Sequence, residues 1–205
     1  MAHSVLFENL ATTNGKFVGQ AILNVEGTLN SLTLEMVDLL LDQLAVWQSD
    51  ESVVAIFIRG AGEKALCAGG DVQALHQSSV SQPGGPCEYA ETFFEREYRL
   101  DYLLHTYCKP TIVWGHGIVM GGGLGILAAC KHRIVTEKTR IAMPEVTIAL
   151  FPDVGGSYFL NKMPGYCGRF LALTAASINA VDSVYAGLAD YCLNHEQYDW
   201  LCGTL

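Results

Sequence analysis

Residues 111–125 of this chain read TIVWGHGIVMGGGLG, a short apolar strand that leads into three consecutive glycines and an apolar helix. A second apolar run, VVAIFI at residues 53–58, is followed by another glycine turn, Ala68-Gly-Gly-Asp71. Glycine permits positive φ and close backbone approach, so both turns can point bare N–H groups at a ligand oxygen. The Gly121–Gly123 turn also opens a helix, whose N-terminus adds partial positive charge. Two N–H groups that converge on one carbonyl oxygen form an oxyanion hole. The alternative is that these glycines serve only tight turns and helix–strand packing.

The flanking sequence predicts an α/β fold. Alternating apolar residues predict strands at 5–10 and 17–23 around a hairpin turn at Thr12–Gly15. After Asn30-Ser31 the apolar spacing i, i+3, i+4, i+7 predicts an amphipathic helix to about Gln48, and continuous apolar runs are typical of buried parallel strands. Strand, helix and strand make a right-handed crossover unit. Further elements are expected as helices at 87–107 and 124–130 and strands at 53–58, 111–115 and 133–136, followed by a short run at 140–143.

The chain is expected to form a single domain over residues 1–205. The stretch SSVSQPGGP at 78–86 has two prolines and no apolar periodicity, so it predicts a flexible loop, placed at 79–86, within that domain. Because the apolar pattern resumes beyond it, at residues 87–107, we prefer a loop to a domain joint.

Composition excludes several classes of protein. The 205 residues carry 12 Lys and Arg against 21 Asp and Glu, a net charge of −9, which argues against a nucleic-acid partner. No apolar run reaches the length of a membrane span. The seven cysteines form no C-x-x-C pair, so free thiols are expected. With no signal or transit pattern at the N-terminus, the predicted location is cytoplasmic.

Known site motifs exclude further chemistries. Neither glycine run matches G-x-G-x-x-G or a Walker loop, and Ser157 does not lie in a G-x-S-x-G elbow. The six histidines show no H-E-x-x-H pattern, so no metal site is expected. Nucleotide, serine-hydrolase and metal chemistry are therefore not favoured.

Two carboxylates lie eight residues apart in the apolar stretch MPEVTIALFPDVGG at 143–156. Burial would raise the pKa values of Glu145 and Asp153, which suits acid–base or nucleophilic work near neutral pH. The alternatives are purely structural. Glu145 after Pro144 could be a helix N-terminal acid, and Asp153 could cap a helix over 154–160.

Four motifs in order carry a family resemblance: Cys67–Asp71, His116–Gly125, Met143-Pro-Glu145 and Phe151–Gly156. They resemble the crotonase (enoyl-CoA hydratase/isomerase) superfamily over about residues 5–193. The stretch FFEREY at 93–98 and the run PDVGG are most similar to its 3-hydroxyisobutyryl-CoA hydrolase branch. The resemblance implies stacked ββα units. It also implies a truncated C-terminal helical part, of which 182–205 would be the start.

The resemblance also implies roles for single residues. Gly70 and Gly122 would supply the oxyanion N–H groups. Glu145 would be the catalytic acid–base group or nucleophile, contacting substrate together with Gly122. Asp153, a catalytic partner, and Glu97 would bind the polar end of the acyl group, as hydrogen-bond acceptors when both are ionised. For Glu97, the solvated face of a helix is the alternative.

The implied substrate is an acyl-CoA, seated on the loop from Lys64 to Gly70 with Lys64, Leu66, Ala68 and Gly70 as contacts. The implied reaction is hydrolysis of a short branched β-hydroxyacyl-CoA thioester, 3-hydroxyisobutyryl-CoA in valine catabolism. No further cofactor is expected because CoA is part of the substrate. The resemblance allows a homo-oligomer, and a mitochondrial matrix location if a transit peptide has been removed.

Two alternatives stay open. Enoyl-CoA hydratases carry a second glutamate where this chain has Gly125 and a glycine where it has Asp153, so hydratase or isomerase activity is less favoured than hydrolysis. A non-catalytic CoA-binding or interaction module is the alternative from another class. A plain structural protein is disfavoured by the glycine-lined apolar cleft.

Overall fold

The fold is built on two β-sheets, seen in a computed structural model that describes residues 3–204. The strands of this part of the chain are β1 (Val5–Ala11), β2 (Phe17–Leu23), β3 (Val53–Gly60), β4 (Ala65–Cys67), β5 (Thr111–Gly115), β6 (Ile118–Met120), β7 (His132–Thr136), β8 (Arg140–Ala142), β9 (Ile178–Asn179) and β10 (Tyr191–Leu193). One sheet has the order β1-β2-β3-β5-β7-β10, and the other has the order β4-β6-β8-β9. Most neighbouring strands are parallel. The predicted α/β class is therefore confirmed.

Helices connect the strands and cover the sheets. They are α1 (Leu34–Ser49), α2 (Val72–Ser81), α3 (Glu88–Thr106), α4 (Gly122–Ala129), α5 (Gly156–Phe159), α6 (Cys167–Thr174), α7 (Ala180–Tyr185) and α8 (Tyr198–Cys202). The main core lies between α1, α3, α4 and the sheets, with fully buried side chains such as Leu44, Ile58, Phe93 and Leu104. This packing places α3 directly against α4, which matters for the site described below.

The predicted β1–β2 hairpin and the β2–α1–β3 crossover are confirmed. β1 and β2 pair antiparallel, and β2 and β3 pair in parallel with α1 between them. The helix begins later than expected, because Thr33 caps it by accepting the N–H of Met36 at 3.2 Å. Asn30 instead has a buried amide that donates to the carbonyls of Ala61 and Ala65. Its buried role is to hold a turn rather than to start a helix.

Two further expectations are corrected. Residues 79–81 belong to α2, so the predicted loop at 79–86 is shorter and begins at Gln82. Residues 182–205 were expected to start a helical region, but β10 within them extends the larger sheet in parallel with β7. The short helix α8 packs with its neighbours on a small second apolar cluster that includes Phe57 and Trp114. That segment is part of the sheet architecture and not only a helical appendage.

The glycines of α4 have a packing role as well. A Cβ on Gly123 would run into the carbonyl of Cys67. Gly123 therefore has the packing role that was the alternative for this glycine run, and other glycines of the run remain available for a site. The seven cysteines, all within the described residues, are free. Between residues 3 and 204, no helix is both long enough and apolar enough to span a bilayer.

Candidate functional site

Three sequence motifs meet because they follow three neighbouring parallel strands. β4 leads into Ala68-Gly69-Gly70, β6 leads into Gly121-Gly122, and β8 leads into Met143-Pro144-Glu145. β4 pairs with β6 and β6 pairs with β8, both in parallel, so the carboxyl ends of the strands lie at one edge of the sheet. Ligands bind at that edge in parallel sheets. A cavity of about 660 Å³ lies there, lined by residues of all three motifs.

The two glycine turns approach each other closely in this cavity. A Cβ on Gly69 would lie 4.0 Å from the backbone nitrogen of Gly122, and one on Gly121 would lie 3.5 Å from the Cα of Gly69. Gly122 is the first residue of α4, so its N–H has no partner within the helix. Within residues 3–204, the N–H of Gly70 has no backbone acceptor either. The structure thus brings the two predicted oxyanion groups together, and neither N–H has a hydrogen-bond partner among the described residues.

Glu145 follows Pro144 as the first residue of a 3₁₀ turn, Glu145–Ile148. Its Oε1 occupies space that only a glycine leaves open, since it would lie 2.8 Å from a Cβ on Gly121. Gly121 also has φ +48°, a conformation that favours glycine. The other oxygen, Oε2, is buried with no hydrogen-bond partner among the described residues. Burial, together with the charge of Asp153, raises the pKa of Glu145 to about 7.

Glu97 projects from α3 into the same cavity and is 2% exposed, so it does not belong to a solvated helix face. A Cβ on Gly122 would collide with its Oε1, and a Cβ on Gly70 would lie 3.9 Å from that atom. Glu97 therefore sits beside both oxyanion glycines. Burial and the charges of Asp153 and Glu145 raise its pKa to about 8.

Asp153 lines the cavity and does not cap a helix. α5 begins at Gly156 after Gly155, whose φ is +81°, and the Asp153 carboxylate instead accepts a hydrogen bond of 2.8 Å from the phenol of Tyr98. Burial raises the pKa of Asp153, while this hydrogen bond lowers it. Tyr98 was not singled out as a functional residue, although it directly follows Glu97 on α3.

The buried acids raise one another's pKa values. The charge of Asp153 contributes to the raised pKa values of both Glu145 and Glu97, and the charge of Glu145 also raises the pKa of Glu97. The ion pairs found between residues 3 and 204 involve other acids. A pKa of about 8 favours the protonated form of Glu97 near neutral pH, whereas the sequence was interpreted with Glu97 as an ionised acceptor.

The predicted CoA contacts divide into two groups. Ala68 and Gly70 line the cavity. Lys64 is exposed outside it, and its carbonyl accepts the N–H of Ile118. The side chain of Leu66 is fully buried in the core and cannot reach a ligand, so its side chain must be withdrawn as a contact. The N–H of Leu66 donates a hydrogen bond to the carbonyl of His116.

Two residues near the cavity carry signals that sequence reasoning could have used. Asp101 follows Glu97 by four residues, and this helical spacing puts both acids on one face of α3. Phe93, four residues before Glu97, packs its ring against Gly70. A Cβ placed on Gly70 would lie 3.0 Å from that ring. In the described part of the chain, no group of three or more His, Cys, Asp or Glu residues could hold a metal ion.

Comparisons with known proteins agree with this arrangement. The family model described as enoyl-CoA hydratase/isomerase matches residues 18–205. The 3-hydroxyisobutyryl-CoA hydrolase, mitochondrial, of Danio rerio is 41% identical over 96% of this chain and 49% of the relative. The small ribosomal subunit protein mS47 of Neurospora crassa is 41% identical over 84% of this chain and 34% of the relative.

Structural comparison gives the same family. An enoyl-CoA hydratase structure from Rhodobacter sphaeroides superposes with a TM-score of 0.92 and 34% identity over 98% of this chain and 58% of that one. The chain spans about half the length, or less, of the curated relatives it matches. The chain belongs to the enoyl-CoA hydratase/isomerase family, as the four motifs predicted.

Proposed function

We propose that this chain carries the active site of a CoA-thioester hydrolase acting on a short β-hydroxyacyl group. One observation carries the proposal: two unused glycine N–H groups face the same cavity as an acid, Glu145, whose pKa is raised to about 7. Thioester hydrolysis needs donors for a developing oxyanion and a group that activates the attacking oxygen. Relatives named 3-hydroxyisobutyryl-CoA hydrolase support this reaction class.

In this proposal the thioester carbonyl oxygen lies between the N–H groups of Gly70 and Gly122. The helix N-terminus at Gly122 adds partial positive charge where negative charge develops. Loss of one oxyanion donor typically lowers turnover by about 10²–10³. Glu97 packs closely on Gly122 at this point of the cavity wall.

Ionised Glu145 then either attacks the carbonyl carbon or takes a proton from an attacking water. Its Oε2 has no hydrogen-bond partner among residues 3–204 and is therefore free for either role. The two roles differ in the fate of the oxygen atom. If Glu145 is the nucleophile and water opens the resulting mixed anhydride at the glutamyl carbonyl, a single turnover in heavy-oxygen water labels the Glu145 carboxylate, whereas a general base leaves all the label in the acid product.

Asp153 and Glu97 form a complementary pair for a hydroxyl group. A hydroxyl both donates and accepts hydrogen bonds. Ionised Asp153 can accept its proton, and protonated Glu97 can donate to its oxygen. An acyl group without the hydroxyl leaves Glu97 unpaired and Asp153 with the Tyr98 phenol alone, which costs more than a missing methylene in an apolar pocket. The site therefore favours β-hydroxyacyl substrates over their deoxy analogues.

A second candidate function has a specific observation in its favour. Relatives named small ribosomal subunit protein mS47 match this chain as well as the hydrolases do, at 41% and 40% identity. The non-catalytic interaction module therefore stays open. The net charge of −9 makes a protein surface a better partner than RNA for such a module. We place the hydrolase first because the cavity keeps Glu145, Asp153 and both glycine turns together.

The compartment and assembly remain part of the proposal. The vertebrate relatives are named mitochondrial proteins, which supports the matrix alternative over the cytoplasm. A homo-oligomer is retained as an expectation that size-exclusion chromatography with light scattering would test.

The deciding experiment is a thiol-release assay with 3-hydroxyisobutyryl-CoA, isobutyryl-CoA and crotonyl-CoA. We expect thiol release fastest from the hydroxylated substrate, by more than the roughly 10–200-fold that an apolar pocket can provide. Asp153→Ala should remove most of that preference, and Glu145→Gln should abolish turnover. Loss of the crotonyl enone absorbance without thiol release would show a hydratase instead. CoA binding without any turnover would favour the interaction module.

A further inference from the structure

The short helix α6 turns its large apolar side chains towards solvent. Its buried residues, Gly168 and Leu171, lie on one face against the rest of the molecule. The opposite face carries Tyr166, Phe170 and Leu173, which are 76%, 58% and 76% exposed. A surface helix normally presents polar side chains on that face, and a cluster of exposed apolar residues marks an interaction site. The outer face of α6 is therefore a candidate docking surface.

The packing beneath α6 keeps this face outward. A Cβ on Gly168 would collide with the carbonyl of Leu160, so the backbone of α6 lies directly on the turn Leu160–Lys162. If the helix turned to bury Phe170, a residue with a side chain would replace Gly168 at that contact. The same rotation would bring Leu171, now buried, into water. The chain therefore cannot cover the apolar face by rotating α6.

The three exposed side chains have the spacing of a helix–helix seam. Tyr166 caps α6, Phe170 follows it after four residues, and Leu173 follows after three more. Apolar side chains recur with this alternation of four and three residues where two helices pair. Arg169 directly precedes Phe170 and lies at the edge of the seam, where charged residues of paired helices select their partner. The spacing thus indicates an α-helix as the occupant.

The charge around this helix is opposite to that of the whole chain. Residues 154–181 contain no Asp or Glu, although the chain has 21 of them, and their two charged residues are Lys162 and Arg169. Both are exposed, and neither pairs with a carboxylate among residues 3–204. Lys162 lies over the ring of Tyr158, at 3.7 Å from its centroid, and Arg169 lies 5.5 Å from the ring centroid of Tyr166. Two positive charges beside an apolar stripe complement an acidic partner.

We propose that the outer face of α6 docks an amphipathic helix of a partner protein that carries acidic residues beside its apolar stripe. The apolar side chains of the partner pack between Tyr166, Phe170 and Leu173, and its carboxylates pair with Arg169 and Lys162. Apolar anchors give such a contact its affinity, and the charges at its edge give specificity. RNA fits less well, because Phe170 and Leu173 offer it no hydrogen bonds and the chain has a net charge of −9. The inference does not depend on the reaction proposed for the cavity.

The test uses two designed helical peptides of about 20 residues. Both have leucines at the four–three spacing, flanked in one peptide by glutamates and in the other by lysines. Fluorescence anisotropy measures their binding to the full chain. We expect the glutamate peptide to bind at micromolar concentrations and the lysine peptide to bind about fivefold or more weakly. Added salt should weaken binding of the glutamate peptide.

Three variants locate the contact. Leu173→Asp should weaken binding of the glutamate peptide about tenfold or more. Val46→Asp is the matched control, because it also replaces an exposed apolar residue on a helix but lies on α1, and it should bind like wild type. Arg169→Glu should reverse the preference, so that the lysine peptide binds more tightly than the glutamate peptide. Circular dichroism checks that each variant is folded.

The same measurements can overturn the proposal. Absence of binding by the glutamate peptide, or equal loss in Leu173→Asp and Val46→Asp, would show that the outer face of α6 is not a docking surface. A charge preference that Arg169→Glu leaves unchanged would remove the acidic partner. Light scattering without peptide tests a second copy of this chain: an assembly that Leu173→Asp alone dissociates would replace the partner protein by self-association. A single-stranded RNA that displaces the glutamate peptide and binds more tightly would also refute the proposed occupant.

Discussion

The sharpest consequence of the site electrostatics is a narrow bell-shaped pH dependence of thiol release. Glu145 must be ionised to act, and its pKa is raised to about 7. Activity should therefore rise with pH, from roughly a tenth of its maximum at about pH 6. Glu97 must be protonated to donate to the substrate hydroxyl, and its pKa is raised to about 8. Activity should therefore fall as pH rises through that value.

The informative perturbation is Glu97→Gln, which keeps a neutral donor but cannot ionise. The high-pH limb should disappear, so that the profile becomes a plateau above about pH 8. The midpoint of the low-pH limb should stay at about pH 7, because the pKa of Glu145 is raised by its burial and by the charge of Asp153, not by Glu97. The assay measures kcat/KM for thiol release from 3-hydroxyisobutyryl-CoA across pH. The control is Glu95→Gln, which changes an exposed acid on the same helix. A high-pH limb that survives in Glu97→Gln, or a low-pH limb that moves by a full pH unit, would refute this assignment of protonation states.

Two further predictions concern hydrogen bonding and packing. Tyr98→Phe removes the hydrogen bond that lowers the pKa of Asp153, so that pKa should rise, as followed in a carbon-13 titration of the carboxyl group. An unchanged titration would show that the phenol does not stabilise the carboxylate. Gly123→Ala should destabilise the chain by about 1–3 kcal/mol in urea unfolding, because its Cβ meets the rigid carbonyl of Cys67. Gly27→Ala, with nothing within 4 Å of its Cβ, is the control and should lie within about 0.5 kcal/mol of wild type.

Much of the fold could be predicted because local signals agree with the tertiary structure. β2 was predicted with its exact bounds, since its alternation and the preceding hairpin turn both indicate a strand. The start of α1 was missed because Asn30 resembles a cap in sequence but is used in the core, where its amide joins two turns distant in the chain. The β10 strand was missed because three residues carry too little periodicity to distinguish a strand.

The candidate site shows a different limit. Motif order identified Gly70, Gly122, Glu97, Glu145 and Asp153, and the structure brings all five to one cavity. Their protonation could not be predicted, because it depends on burial and on charges from segments far apart in sequence. Glu97 and Asp153 were both expected to be ionised acceptors, yet burial beside the charge of Asp153 keeps Glu97 mainly protonated near neutral pH.

That difference changes what the site can recognise. Two ionised acceptors would compete for the single proton of a hydroxyl group and would leave one buried charge unpaired. A donor and an acceptor satisfy both the proton and the oxygen of the same hydroxyl. The asymmetry follows from position: Asp153 receives the Tyr98 phenol, whereas Glu97 has an oxygen with no partner among the described residues. In the proposed function, selectivity for a hydroxylated acyl group would thus depend on one hydrogen bond between α3 and the segment before α5, because the Tyr98 phenol lowers the pKa of Asp153 and has no counterpart at the unpartnered Glu97 oxygen.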